Sequence, residues 1–177
     1  MTEIDFRNDL LPLKNKLFRV ALRITLDRPE AEDVVEDVLV KVWEQRATPD
    51  IRQVQNLEAY CLTLTRNLAL DRAARREAQN VSLDDADHQH LTTDRADSAP
   101  LPDQLLEHDD RLRWVRDLFA QLPEKQRTVL QLRDIDEHSY QEVADIMQIS
   151  ESDVKVTIFR ARQALKQLIE HSSHHGL

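Results

Sequence analysis

Glycine is almost missing from this chain. The 177 residues hold one, Gly176, so no glycine-rich loop exists to cradle a phosphate, and tight turns have to be built from residues with side chains. Cysteine is as scarce. Cys61 alone excludes an intramolecular disulfide and fits a reducing cytoplasm. No apolar run approaches the ~20 residues of a membrane span, and Met1-Thr-Glu-Ile-Asp-Phe-Arg7 is not a signal peptide. The β-branched alternation of strands is rare as well. An all-α chain of one or two small domains, without membrane insertion, is the expectation these absences leave.

Catalytic equipment is also lacking. No nucleophile has a plausible base, and five of the seven histidines fall where scaffolding is poor: His88 and His90 in a polar stretch, His171, His174 and His175 near the C-terminus. A metal site would need them on ordered elements with further ligands. The reading is therefore no enzyme, no cofactor and no metal.

The net charge of −9 is distributed unevenly. Residues 1–77 carry −1 and residues 111–177 carry zero, so residues 78–110 hold −8. That middle stretch has no sustained period, few large apolar groups and two prolines, Pro100 and Pro102. It predicts three parts: a domain over 1–77, an acidic flexible linker over 78–104, and a second domain over 105–177. The linker reads equally well as a solvated spacer or as an acidic strand for a basic channel.

What the chain does have is most explicit toward its C-terminus. Ser139 followed by Glu142 is a capping box, and Ser150 followed by Asp153 starts a second helix. Between them lie a short amphipathic helix, Tyr140 to about Met147, and a tight connection through Gln148-Ile149. A short helix, a turn and a longer basic helix are the parts of a helix-turn-helix. In the second helix Val154, Ile158, Ala161 and Leu165 form one apolar line. Ser152, Lys155, Val156, Phe159, Arg160 and Gln163 fall on the outer side. Cations that reach phosphates or guanine, next to apolar groups that touch a thymine methyl, suit a DNA groove. The same pattern arises when Phe159 rolls back onto the domain and the cations are merely solvated.

The N-terminal domain reads as three helices. The first covers roughly Phe6 to Leu26, with Leu10, Leu13, Leu17, Val20, Ala21 and Ile24 as its stripe. Pro29 opens the second, which runs to about Gln45 and buries Ala31, Val34, Val35, Val38 and Val42. Its other side sets Asp33, Glu36, Asp37 and Glu44 around an exposed Val40, which suits docking on a basic protein surface. A charged exterior with one tolerated valine fits the pattern too. Asn56 caps the third helix, expected to end in Arg72-Ala-Ala-Arg-Arg76. Those arginines suit either phosphate binding or the dipole at a helix C-terminus. Cys61 shares a line with Leu57, Leu64 and Leu68 and reads as a small buried hydrophobe.

Leu17-Phe-Arg-Val-Ala-Leu-Arg-Ile-Thr25, Ala31-Glu-Asp-Val-Val-Glu-Asp-Val-Leu-Val-Lys-Val-Trp43 and Thr65-Arg-Asn-Leu-Ala-Leu-Asp-Arg72 resemble region 2 of the extracytoplasmic-function (ECF) sigma factors, specificity subunits of bacterial RNA polymerase. Leu122-Pro-Glu-Lys-Gln-Arg-Thr-Val-Leu-Gln-Leu132, Tyr140-Gln-Glu-Val-Ala144 and Val154-Lys-Val-Thr-Ile-Phe-Arg-Ala-Arg162 resemble their region 4. The resemblance implies that Asp33, Glu36, Asp37 and Val40 dock on the clamp helices of the largest polymerase subunit. It implies that Arg66, Asn67, Arg72, Arg75 and Arg76, with the loop Ala47 to Asn56, serve the minus-ten element. Ser152, Lys155, Val156, Phe159, Arg160 and Arg162 would serve the minus-thirty-five element, and an anti-sigma factor is a further partner of such proteins. Three positions depart from the family pattern: Gln148 where glycine is common in the turn, Thr157 where arginine is usual, and Tyr60 as the lone aromatic of the third helix. A stand-alone helix-turn-helix regulator and a polymerase-binding decoy without promoter reading are the alternatives.

Overall fold

A computed structural model describes residues 3–83 and 103–174, and among them there are helices and turns but no strand. The acidic run with His88 and His90 lies outside the described residues. Among the described residues eight α-helices follow in order: α1 (Lys14–Thr25), α2 (Arg28–Gln45), α3 (Pro49–Arg52), α4 (Leu57–Leu83), α5 (Asp103–Ala120), α6 (Glu124–Leu130), α7 (Tyr140–Met147) and α8 (Glu151–His174).

The expected first helix is broken near its start. Asp5 accepts from the Asn8 N–H and opens a π turn, Phe6–Leu10, and a 3-10 turn follows over Leu11–Leu13 before α1 begins. Pro12 explains the break, because it has no N–H to continue the α-helical ladder. The predicted stripe is otherwise in place: Leu10, Leu17, Val20, Ala21 and Ile24 are buried, with Leu13 half-buried. On α2 every residue expected inside is buried, and Leu39 joins them. Asp27 caps this helix through the Glu30 N–H at 3.0 Å, an Asp-x-x-Glu signature visible in the sequence itself.

Two boundaries need correction. The third helix does not stop at Arg76; α4 continues through Leu83, since Glu77-Ala-Gln-Asn-Val-Ser contains no breaker. The linker therefore loses its first residues to α4 and its last to α5, which begins at Asp103. The loop after α2 also contains a helical turn, α3, opened by Pro49.

The two halves also share a core. One cluster of buried side chains joins Leu17, Val20, Cys61 and Leu62 of the first half to Val129, Val143, Ile146 and Met147 of the second. A smaller cluster of Phe119, Leu122, Leu130 and Ala161 closes the C-terminal half. The seam is polar around its edge. Arg127 is buried, and its guanidinium donates to the carbonyls of Arg23 (2.6 Å), Leu122 (2.6 Å) and Ile24 (3.4 Å). Two of these are orphan carbonyls at the end of α1, which an intrahelical N–H cannot reach. Burial pushes the Arg127 guanidinium below its ordinary value, against the pull of Glu124. Arg19 grips Asp136 at 2.7 Å, with that carboxylate 1% exposed. Arg23 donates to Gln131 at 3.0 Å and stacks over Phe119. Burial pushes the Cys61 thiol up to about 12, and Glu58 adds to the shift, so this cysteine is a packing residue.

The shortage of glycine is visible in the backbone. Leu26, Glu137 and Gln148 all take positive φ, at 53°, 60° and 56°. Each carries the crowding of Cβ that glycine would avoid, on the order of 1 kcal/mol. Gln148→Gly is expected to stabilise the fold by about 0.5 kcal/mol, raising Tm by roughly 1–2 °C in a thermal melt. A lower Tm would show that the Gln148 side chain contributes more than its backbone costs.

Candidate docking and nucleic-acid interfaces

The capping box is complete. The Glu142 N–H donates to Ser139 Oγ at 3.2 Å, and the Ser139 N–H donates to Glu142 Oε2 at 2.8 Å. Hydrogen bonds from the Ser139 backbone and hydroxyl, with the nearby His138, hold the Glu142 carboxyl below the usual range. The Asp153 N–H likewise donates to Ser150 Oγ at 3.1 Å. Between the helices Gln148 occupies the left-handed conformation that glycine would supply. The geometry is a helix-turn-helix with α8 as its second helix.

On α8, Val154, Ile158 and Ala161 are buried and Leu165 is half-buried, so the inward line is as expected. Phe159 has not rolled back: it is 65% exposed, and Val156 is 48% exposed. Ser152 and Arg160 are exposed beside them, and the Lys155 ammonium lies 5.5 Å from the Tyr140 ring centroid. Arg162 differs from the rest. It holds Asp134 through two hydrogen bonds, at 2.5 and 3.0 Å, so its charge is met within the protein.

On α2, Val40 is exposed as expected, with Asp33, Glu36 and Glu44 around it. Asp37 is exposed too, but it is paired with Arg72 of α4 at 2.5 Å. Arg72 also reaches Glu30 at 3.2 Å and Asp33 at 3.7 Å. Burial pulls the Arg72 guanidinium down, but hydrogen bonds to Glu30 and the charge of Asp37 leave it raised overall. Arg76 holds Asp27 at 2.7 Å. Arg75 is exposed, and Arg66 and Asn67 are half-buried neighbours whose side chains meet at 3.5 Å. The structure therefore brings the docking candidates and part of the minus-ten candidates together across α2 and α4. Neither the Arg72 bridge nor the Arg127 anchor follows from periodicity.

A cleft of about 670 Å³ opens near the start of α4, between Glu3, Ile4 and Asp9 and the loop side chains Arg46, Ile51, Arg52 and Val54. Arg46 stacks over Trp43 at 3.9 Å and donates to the Trp43 carbonyl, which fixes it at the rim.

Residues 12–79 match the family model for Sigma-70 region 2, and residues 112–165 match the model for Sigma-70, region 4. The ECF RNA polymerase sigma factor SigL of Mycobacterium tuberculosis is 30% identical over 156 residues, spanning 87% of this chain and 82% of the relative. The chain belongs to the ECF sigma factors. The RNA polymerase sigma-H factor of Pseudomonas aeruginosa is 29% identical, over 92% of this chain and 86% of its own length. SigW of Bacillus subtilis is 25% identical, over 87% and 83% respectively. Two solved structures share the fold. The sigma factor RpoE of Bartonella quintana, in complex with the anti-sigma factor NepR, superposes with a TM-score of 0.70 at 23% identity, covering 94% of this chain and 97% of its own. CnrH, in complex with the cytosolic domain of CnrY, gives 0.65 at 20%, covering 94% and 88%. As a sigma factor the protein is not an enzyme; it binds core RNA polymerase and directs it to promoter DNA. No helix among the described residues is long and apolar enough to cross a membrane.

Proposed function

We propose that this sigma factor divides its work over three surfaces. The α2 strip of Asp33, Glu36, Asp37 and Val40 docks on the clamp helices of the largest polymerase subunit. Arg66, Asn67, Arg75 and Arg76 of α4, with the cleft rimmed by Arg46 and Arg52, take the minus-ten element. Ser152, Lys155, Val156, Phe159 and Arg160 of α8 take the minus-thirty-five element. Arg72, Arg76 and Arg162 join these surfaces only by exchanging their present acidic partners.

The observation that carries the reading is the exposed Phe159 beside Val156 and an exposed Arg160. A solvated face has no use for that much apolar area, whereas a base edge with its methyl group does. The factor works in the cytoplasm, with the helices through α4 and those from α5 onward as its two reading units. A bound protein that withholds it from polymerase belongs to the same reading, supported by the anti-sigma factor that accompanies RpoE in the structural neighbour.

The test is run-off transcription with purified core polymerase. Arg160→Ala is expected to weaken promoter complexes about tenfold while leaving core binding unchanged. Specific promoter binding by the chain without core would instead favour a stand-alone regulator.

A further inference from the structure

We propose that Arg72 is an exchangeable occupant of the docking face, holding Asp37 in the free protein and passing to promoter phosphate when core polymerase takes its place. The proposal rests on reading α2 as the core-docking helix and α4 as the minus-ten helix.

Glu30, Asp33 and Asp37 follow at spacings of three and four, so they line one edge of α2. Arg72 comes across from α4 and forks over that edge. One terminal nitrogen serves Glu30 at 3.2 Å and lies 3.7 Å from Asp33; the other serves Asp37 at 2.5 Å. The guanidinium is well held, with its side chain 26% exposed, but its partners are open to water: Asp33 is 63% exposed and Asp37 55%. Ion pairs in water are individually weak, so these are contacts a competing cation can replace.

A basic group of a partner that approaches Asp37 meets a positive charge already there. Docking therefore has to displace Arg72 or share its acid. Once displaced, Arg72 lies on α4 within about one turn of Arg75 and Arg76, on the helix assigned to promoter contact. One side chain then serves both surfaces in turn. By linkage, core binding favours DNA binding, and DNA binding favours core binding.

The exchange predicts effects of opposite sign from one substitution. Full-length wild type, Arg72→Gln and Arg72→Lys would be titrated with core polymerase, and each holoenzyme with promoter DNA at several salt concentrations. Arg72→Gln is expected to bind core about three- to tenfold more tightly. Its holoenzyme should bind the promoter about three- to tenfold more weakly, with a salt slope shallower by roughly 0.7 to 0.9. Arg72→Lys should restore the slope yet keep part of the tighter core binding, because an ammonium cannot fork between Glu30 and Asp37. Core binding by Arg72→Gln that is unchanged or weaker overturns the exchange, and so does an unchanged promoter slope. Failure of the docking reading looks different: Asp37→Lys would then bind core like wild type, whatever Arg72 does.

Discussion

Replacing Arg127 by methionine is expected to cost about 3–5 kcal/mol of stability, a large share of what holds a chain of this size folded. Methionine fills most of the volume but donates nothing. The carbonyls of Arg23, Ile24 and Leu122 would lose their donor in a setting with little access to water, and each orphaned buried acceptor costs about 1–3 kcal/mol. The burial that depresses the Arg127 guanidinium offsets part of this, since removing a desolvated cation is itself favourable. Because α1 and α6 meet at this residue, the loss falls on the joint between the two halves. Chemical denaturation should show either a midpoint shift of the whole transition or its division into two. A variant within about 1 kcal/mol of wild type would mean that the carbonyls find other donors.

Reversing the charge at Asp37 with Asp37→Lys is expected to weaken core binding by roughly thirtyfold or more, corresponding to about 2–4 kcal/mol. The fold should survive, because Asp37 is exposed and its pair with Arg72 lies at the surface. Two effects act together at the interface. The partner loses an acid, and the introduced ammonium stands against the partner's cations with Arg72 beside it. Circular dichroism and thermal melts would establish the fold, and fluorescence titration with core would measure the loss. Binding within about twofold of wild type would remove α2 from the docking surface.

The helices were legible because burial on each follows a period the residues themselves display. Val154, Ile158 and Ala161 point inward for the same reason that Val34, Val38 and Val42 do. Asn56, Ser139 and Ser150 were legible as caps because the capping signal is local. The extent of α4 was not, because nothing after Arg76 says stop and nothing says continue. The exposed Val156, Phe159 and Arg160 were readable as a surface, and α8 presents them as one. Arg72, Arg76 and Arg162 were readable only as cations. Whether a cation faces DNA or an acid of its own chain depends on which element lies opposite, and here Asp37, Asp27 and Asp134 do. Longer-range partners were still less accessible: Arg19 and Asp136 are 117 residues apart, a separation over which no periodicity carries information.

The seam between the halves sets a problem of length. A compact chain of this size has a radius of gyration of roughly 16 Å and spans on the order of 40 Å. The minus-ten and minus-thirty-five elements lie about 25 base pairs apart, or roughly 85 Å along B-form DNA at about 3.4 Å per pair. On the proposed assignment, a molecule of that span, closed by Arg127 in the end of α1 and by Asp136 on Arg19, would reach only one of the two elements. It is folded like a closed ruler. To serve both elements as proposed it would open at the joint and give up its shared core, with polymerase supplying the surfaces that hold the opened form.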